Sequence, residues 1–174
     1  MIDELIDGHI TDLPKMSIGA KEKIVEAIYE IFVNAQMHSE TKNIYTCGQF
    51  FPNKNSIEFT IVDTGIGFKE RINNRFDSNL SSIQAIEWAV QDRKTTKVGV
   101  TGGIGLAVLR EFVEMNGGKM QIVSHDGFYQ FDKESVDSRI FNGNFPGTIV
   151  NLQFRTDDNN NYSLKSEIDY NDIF

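Results

Sequence analysis

Two glycine clusters, each placed where one regular element gives way to another, limit what this chain can become. The first, Asp63-Thr64-Gly65-Ile66-Gly67, follows directly on Ser56–Val62, a β-branched and aromatic run that reads as a strand. Two glycines in three positions permit backbone angles that a strand cannot hold, so the chain leaves the strand there. The second, Thr101-Gly102-Gly103-Ile104-Gly105, opens a helix whose apolar stripe is Leu106, Val108, Leu109, Phe112 and Val113 and whose stop is Gly117-Gly118. Strands and helices are therefore both required.

Between and around these clusters the periodicities place the remaining elements. Ile24, Ala27, Ile28, Ile31, Phe32 and Ala35 recur at spacings of three and four and predict a helix from Ile18 to His38, with Lys21, Glu22 and Lys23 off the stripe. Ile44–Phe51 and Ser56–Val62 form a hairpin across Pro52-Asn53-Lys54-Asn55. Leu80, Ile83, Ile86, Trp88, Ala89 and Val90 suggest a further helix, ending in a polar run, Gln91–Lys97, read as mobile. Strands are expected at Lys119–Ser124 and about Phe128–Asp132, turning at Asp126-Gly127, and at Thr148–Phe154 after Phe145-Pro146-Gly147. Residues 1–17 read as an N-terminal arm. Residues 156–174 read as an acidic flexible tail, since Asp157, Asp158, Glu167, Asp169 and Asp172 face only Lys165.

Composition removes several classes. Lys and Arg number 17 against 25 Asp and Glu, a net charge of −8, and no basic run offers a stripe that could track phosphates, so direct nucleic-acid binding is not expected. Cys47 is the only cysteine, which excludes an intrachain disulfide and a cysteine zinc cluster. The acidic start, Met1-Ile2-Asp3-Glu4, lacks the basic residues of a secretory signal, and no apolar run reaches the ~18 residues of a membrane span. No membrane partner and a cytoplasmic location are expected.

Three polar constellations carry the chemistry. Glu30 and Asn34 lie four apart on the first helix and so share a face. The pair is either a solvated surface or a functional one, in which Asn34 offers an amide oxygen to a hard cation and Glu30 takes a proton from a water or hydroxyl. Asp63, at a strand end before Gly65 and Gly67, either caps a turn or accepts a bond from a ligand amine, worth ~1.5–3 kcal/mol when charge-assisted. Such a carboxylate suits the amino group of adenine and meets the carbonyl of guanine badly. The run Thr101–Leu106 is neither a Walker A loop, lacking Gly-Lys-Ser/Thr, nor a dinucleotide fingerprint, since Val108 stands where the third glycine belongs. It remains a glycine-rich lead into a helix N-terminus, either a structural cap or a phosphate site.

In this order the three resemble the GHKL ATPase superfamily of gyrase B subunits, heat-shock chaperones of the ninety-kilodalton class, mismatch-repair ATPases and sensor histidine kinases. The matching runs are Glu30-Ile31-Phe32-Val33-Asn34-Ala35, Asp63-Thr64-Gly65-Ile66-Gly67 and Gly102-Gly103-Ile104-Gly105-Leu106, with Gly147-Thr148 as a fourth, over residues 18–155. The resemblance implies a two-layer α/β sandwich, of the α+β kind, with a mixed, mainly antiparallel sheet and helices on one face. It implies ATP and Mg²⁺ as cofactors, Asn34 as the metal ligand, Asp63 and Thr148 at adenine and Glu30 as catalytic base. Gly65, Gly67, Thr101, Gly102, Gly103, Ile104, Gly105 and Leu106 would line the nucleotide, Lys97 would reach the terminal phosphate, and residues 68–102 would form a lid.

Glu30 points to hydrolysis or to transfer onto a hydroxyl. His9, His38 and His125 supply no phosphoacceptor on a dimerisation helix, and the chain ends too soon for a gyrase transducer domain, so a free-standing module is expected. The spacing Glu30-x3-Asn34-Ala35-x2-His38 is similar to that of anti-sigma serine kinases. A protein Ser/Thr phosphotransferase or ATPase is the first reading, and an ATP-gated binding module with little turnover is the second. A regulatory protein partner is expected, and a homodimer is left open.

Overall fold

The computed structural model describes residues 15–38, 43–91, 105–133, 135–157 and 159–163. In chain order these form β1 (Lys15–Met16), α1 (Ile18–His38), β2 (Ile44–Phe51), a 3-10 turn (Pro52–Lys54), β3 (Ser56–Asp63), α2 (Gly67–Phe76), α3 (Ser82–Ala89), α4 (Gly105–Asn116), β4 (Lys119–Asp132), β5 (Ser135–Arg155) and β6 (Asn161–Tyr162). Strands β2, β3, β5 and β4 lie in that order in one antiparallel sheet, and β1 pairs with β6 in parallel. This is the expected α+β sandwich.

Side chains alternate across a strand, so one face of each can be apolar. Ile57, Phe59 and Ile61 of β3, Met120 and Ile122 of β4, and Val150, Leu152 and Phe154 of β5 are buried on one face. Against them lie Ile24, Ala27, Ile28 and Ile31 of α1, Leu109, Phe112 and Val113 of α4, and Ile86 of α3. The opposite face is held by polar rungs: Thr60 Oγ1 donates to Asn151 Oδ1 at 2.6 Å, and Asn151 Nδ2 donates to Gln121 Oε1 at 3.2 Å. The helices thus cover one side only.

The first helix and the hairpin stand at the expected residues, and Ser17 Oγ accepts from Ala20 N at 3.0 Å to start α1. Strand β4 needs a closer reading, because Gln121 Nε2 donates to Gln130 Oε1 at 2.8 Å and Lys119 Nζ lies 3.5 Å from Asp132 Oδ2. Extended backbone would hold positions nine residues apart at about 30 Å, so β4 doubles back at His125 and Asp126, where His125 takes a φ of +56°. The expected turn is present, one residue earlier. Strand β5 reaches back to Ser135, well ahead of the expected Thr148, because its first part pairs with the returning half of β4 from Asp132↔Ser135 to Gly127↔Ile140. Burial did not announce that part, whose residues are nearly all exposed.

Of the segment 68–102 expected as a lid, residues 92–102 lie outside the described residues. The earlier part carries α2, not expected from the sequence, and α3, joined by a loop that Asn73 organises: its Oδ1 accepts from Leu80 N and Ser78 Oγ at 2.8 Å, and its Nδ2 donates to Leu80 O at 3.0 Å. Ile72, Ala85 and Ile86 are buried, so both helices belong to the body of the domain. Ser81 and Gln84 form a capping box at the start of α3.

Past Arg155, where a flexible tail was expected, Tyr162 is buried with its ring 5.2 Å from Phe112. Residues 164–174 lie outside the described residues, as do residues 1–14 of the expected arm. Asn116 fastens the end of β5 to α4: its Nδ2 donates to Arg155 O at 3.0 Å and its Oδ1 accepts from Arg155 N at 2.6 Å. Asn116→Leu removes both bonds and is expected to lower unfolding free energy by about 1–3 kcal/mol in urea titrations.

Candidate functional site

Asp63 is the last residue of β3, and its neighbour across the ladder is Thr148 of β5. Being at the strand end, its side chain escapes the core that Ile57, Phe59 and Ile61 fill on the same face, yet Asp63 is only 7% exposed. Gly65 N donates to Asp63 Oδ1 at 2.9 Å, and the backbone and hydroxyl of Thr148 also donate to the carboxylate. Burial pushes the Asp63 carboxyl above its ordinary value of 3.8, and these hydrogen bonds and the Arg71 guanidinium oppose the rise. Burial in turn draws the Arg71 guanidinium down to about 10, with Asp63 opposing.

These groups open on a cleft lined by Ile31, Asn34 and Ala35 of α1, Ile61 and Asp63 of β3, Gly67, Phe68 and Arg71 of α2, Leu106 of α4, and Thr148 and Val150 of β5. Its walls are apolar and its polar groups few, the usual character of a small-ligand site. Of the residues expected to serve one site, Asn34, Asp63, Gly67, Leu106 and Thr148 line this cleft together, and Gly65 holds Asp63 from behind. Lys97, Thr101, Gly102, Gly103 and Ile104 lie outside the described residues.

Glu30 has a partner the sequence did not suggest. Its Oε2 accepts from Gly105 N at 2.8 Å, so the carboxylate caps the first residue of α4. The two elements touch so closely that a Cβ on Gly105 would meet Glu30 Oε2 at 2.9 Å and Ala27 O at 3.0 Å. Glycine is required there by approach rather than by φ.

Three contributors went unread. Arg71 sits on α2, a helix hidden by its polar composition. Phe68 N donates to Ser124 Oγ at 3.1 Å, and Ser124 Oγ donates to Gly147 O at 2.9 Å, so a fully buried hydroxyl joins α2, β4 and β5 under the cleft. Ser124 had left a signal: it continues the inward alternation of Met120 and Ile122 with a polar group.

Sheet and helix order define an α+β sandwich of the kind the motif order led one to expect. The family model described as histidine kinase-, DNA gyrase B- and HSP90-like ATPase matches residues 19–157, and the chain belongs to that family of ATP-binding domains. Comparison with curated proteins finds no match. Among the described residues no helix is long and apolar enough to cross a membrane.

Because burial raises Asp63, its protonated form is favoured by folding; the stability this contributes is present below 3.8 and lost as pH rises through the folded value. Ionising the Asp63 carboxyl therefore costs folding stability. Asp63→Asn, which does not titrate, is expected to gain stability relative to wild type on going from below pH 3.8 to pH 7, as read by thermal melts across pH. A constant difference would show that burial does not perturb the carboxyl.

Proposed function

We propose that the cleft binds Mg·ATP and that the chain cleaves it, passing the phosphoryl group to water or to a Ser/Thr hydroxyl of a regulatory protein. The observation that carries the reading is the buried Asp63 carboxylate, held by Gly65 and Thr148 between the apolar walls of one cleft. In this reading the carboxylate accepts from the adenine amino group, and Thr148 keeps it in place. Among the described residues no three His, Cys, Asp or Glu side chains gather as a metal site. A divalent ion here would therefore rest on the Asn34 amide oxygen and on phosphate oxygens, a donor set that suits Mg²⁺. Glu30, one turn from Asn34, is the candidate base.

A second reading, an ATP-gated protein-binding module with little turnover, is favoured by the Glu30–Gly105 bond, which gives Glu30 a structural task at the start of α4. Calorimetric titration with a non-hydrolysable ATP analogue tests the shared part of both readings. Affinity should rise with Mg²⁺, and Asp63→Asn should weaken it by about 1.5–3 kcal/mol. Equal affinity in the variant would remove adenine recognition from Asp63.

A further inference from the structure

We propose that two copies of this chain associate through the outer edge of β5 over Ser135–Ile140, pairing antiparallel about Ser138 so that one sheet runs through both. Residues 135–140 pair with the returning half of β4 on one side, and among the described residues no strand pairs with their other side. A free strand edge presents unpaired N–H and C=O groups and is a ready template for another strand. The side chains on this edge select which strand that is.

Pairing partners in a ladder share a face, so Val136 and Ile140, opposite Phe131 and Gly127, lie on the helix side of the sheet with Ser138, whose Oγ donates to Glu87 Oε1 of α3 at 3.1 Å. Both apolar side chains are nonetheless 49% and 55% exposed. Asp137 and Arg139 lie on the opposite face, 3.4 Å apart, with Arg139 4.7 Å over the Phe128 ring. The edge thus alternates two apolar and two oppositely charged residues around a central serine.

A closed dimer needs a two-fold axis. An axis normal to the sheet keeps every side chain on its own face, so one residue must lie opposite its own copy. Centring on Asp137 would set two carboxylates against each other, and centring on Arg139 would set two guanidinium groups against each other, both unfavourable. Centring on Ser138 instead sets Asp137 opposite the second copy's Arg139, and Val136 opposite the second copy's Ile140, twice each. Only this register pairs unlike charges while covering exposed apolar area. The other sheet edge, β2, holds exposed Tyr45, Cys47 and Gln49 and no charge to select a register.

Sedimentation equilibrium of the full chain, without nucleotide, tests this independently of the ATP reading. The wild type should run at about twice 19.7 kDa. Asp137→Arg alone and Arg139→Asp alone should each run as monomers, because each puts like charges opposite, and the double exchange should restore the dimer. A monomeric wild type, single variants that remain dimeric, or a double exchange that folds by circular dichroism but stays monomeric would each overturn the proposal.

Discussion

Glu30→Gln is expected to retain ATP-analogue affinity and to lose turnover by about 10²–10⁴-fold, the usual contribution of a positioned general base. The amide is the informative replacement because its oxygen can still accept from Gly105 N, keeping the 2.8 Å contact between α1 and α4, while it can no longer take a proton. Glu30→Ala would mix two effects, since loss of a helix cap alone costs about 0.5–2 kcal/mol. Steady-state phosphate release beside calorimetric affinity separates them. If the glutamine variant turns over as the wild type does, Glu30 is a cap at the start of α4 and not the base.

Gly147→Ala is expected to be the most damaging small substitution in the domain. Gly147 has a φ of +98°, which side-chain-bearing residues rarely adopt, and a Cβ there would lie inside contact distance of the Asp63 carbonyl oxygen and 2.7 Å from Gly65 N. Those are backbone atoms of the loop that holds the Asp63 carboxylate, and they have no free rotamer by which to yield. Backbone strain of this kind costs about 1–3 kcal/mol before any clash, and with the clash the loss should reach about 4 kcal/mol or more, the exceptional range for one substitution. Chemical denaturation gives the number. The binding defect should exceed that of a remote destabilised variant at equal folded fraction, since the displaced atoms are those that present Asp63.

Much of this was legible because some signals are local. The α1 stripe, the β2–β3 hairpin and the α4 stripe each bury one face of one element, so their spacing in the chain records their packing directly. Asp63, Gly67, Leu106 and Thr148 were legible as a set because they stand in short runs whose order along the chain resembles that of the GHKL ATPases. Helix α2 was hidden because Ile72 is its only fully buried side chain, joined by a part-buried Phe68, too few to make a stripe. The first part of β5 was hidden because its residues are exposed and its conformation is imposed by pairing with the returning half of β4.

Tyr162 shows the same limit at the level of one residue. An acidic window suggests solvent, yet the Tyr162 ring packs against Phe112, its hydroxyl donates to Met115 O at 3.3 Å and its backbone pairs with β1. Composition averages over a window; packing acts on the side chain.

What the sequence determined by itself was the succession of elements and the residue types at their junctions, because secondary periodicity and glycine geometry depend on near neighbours along the chain. What only the tertiary structure decided was which distant groups meet: Arg71 with Asp63, Ser124 beneath Gly147 and Phe68, Glu30 at Gly105 and Asn116 at Arg155. Each of those meetings satisfies a buried polar group, and its partner is chosen by how helices and strands stack, which no local spacing records.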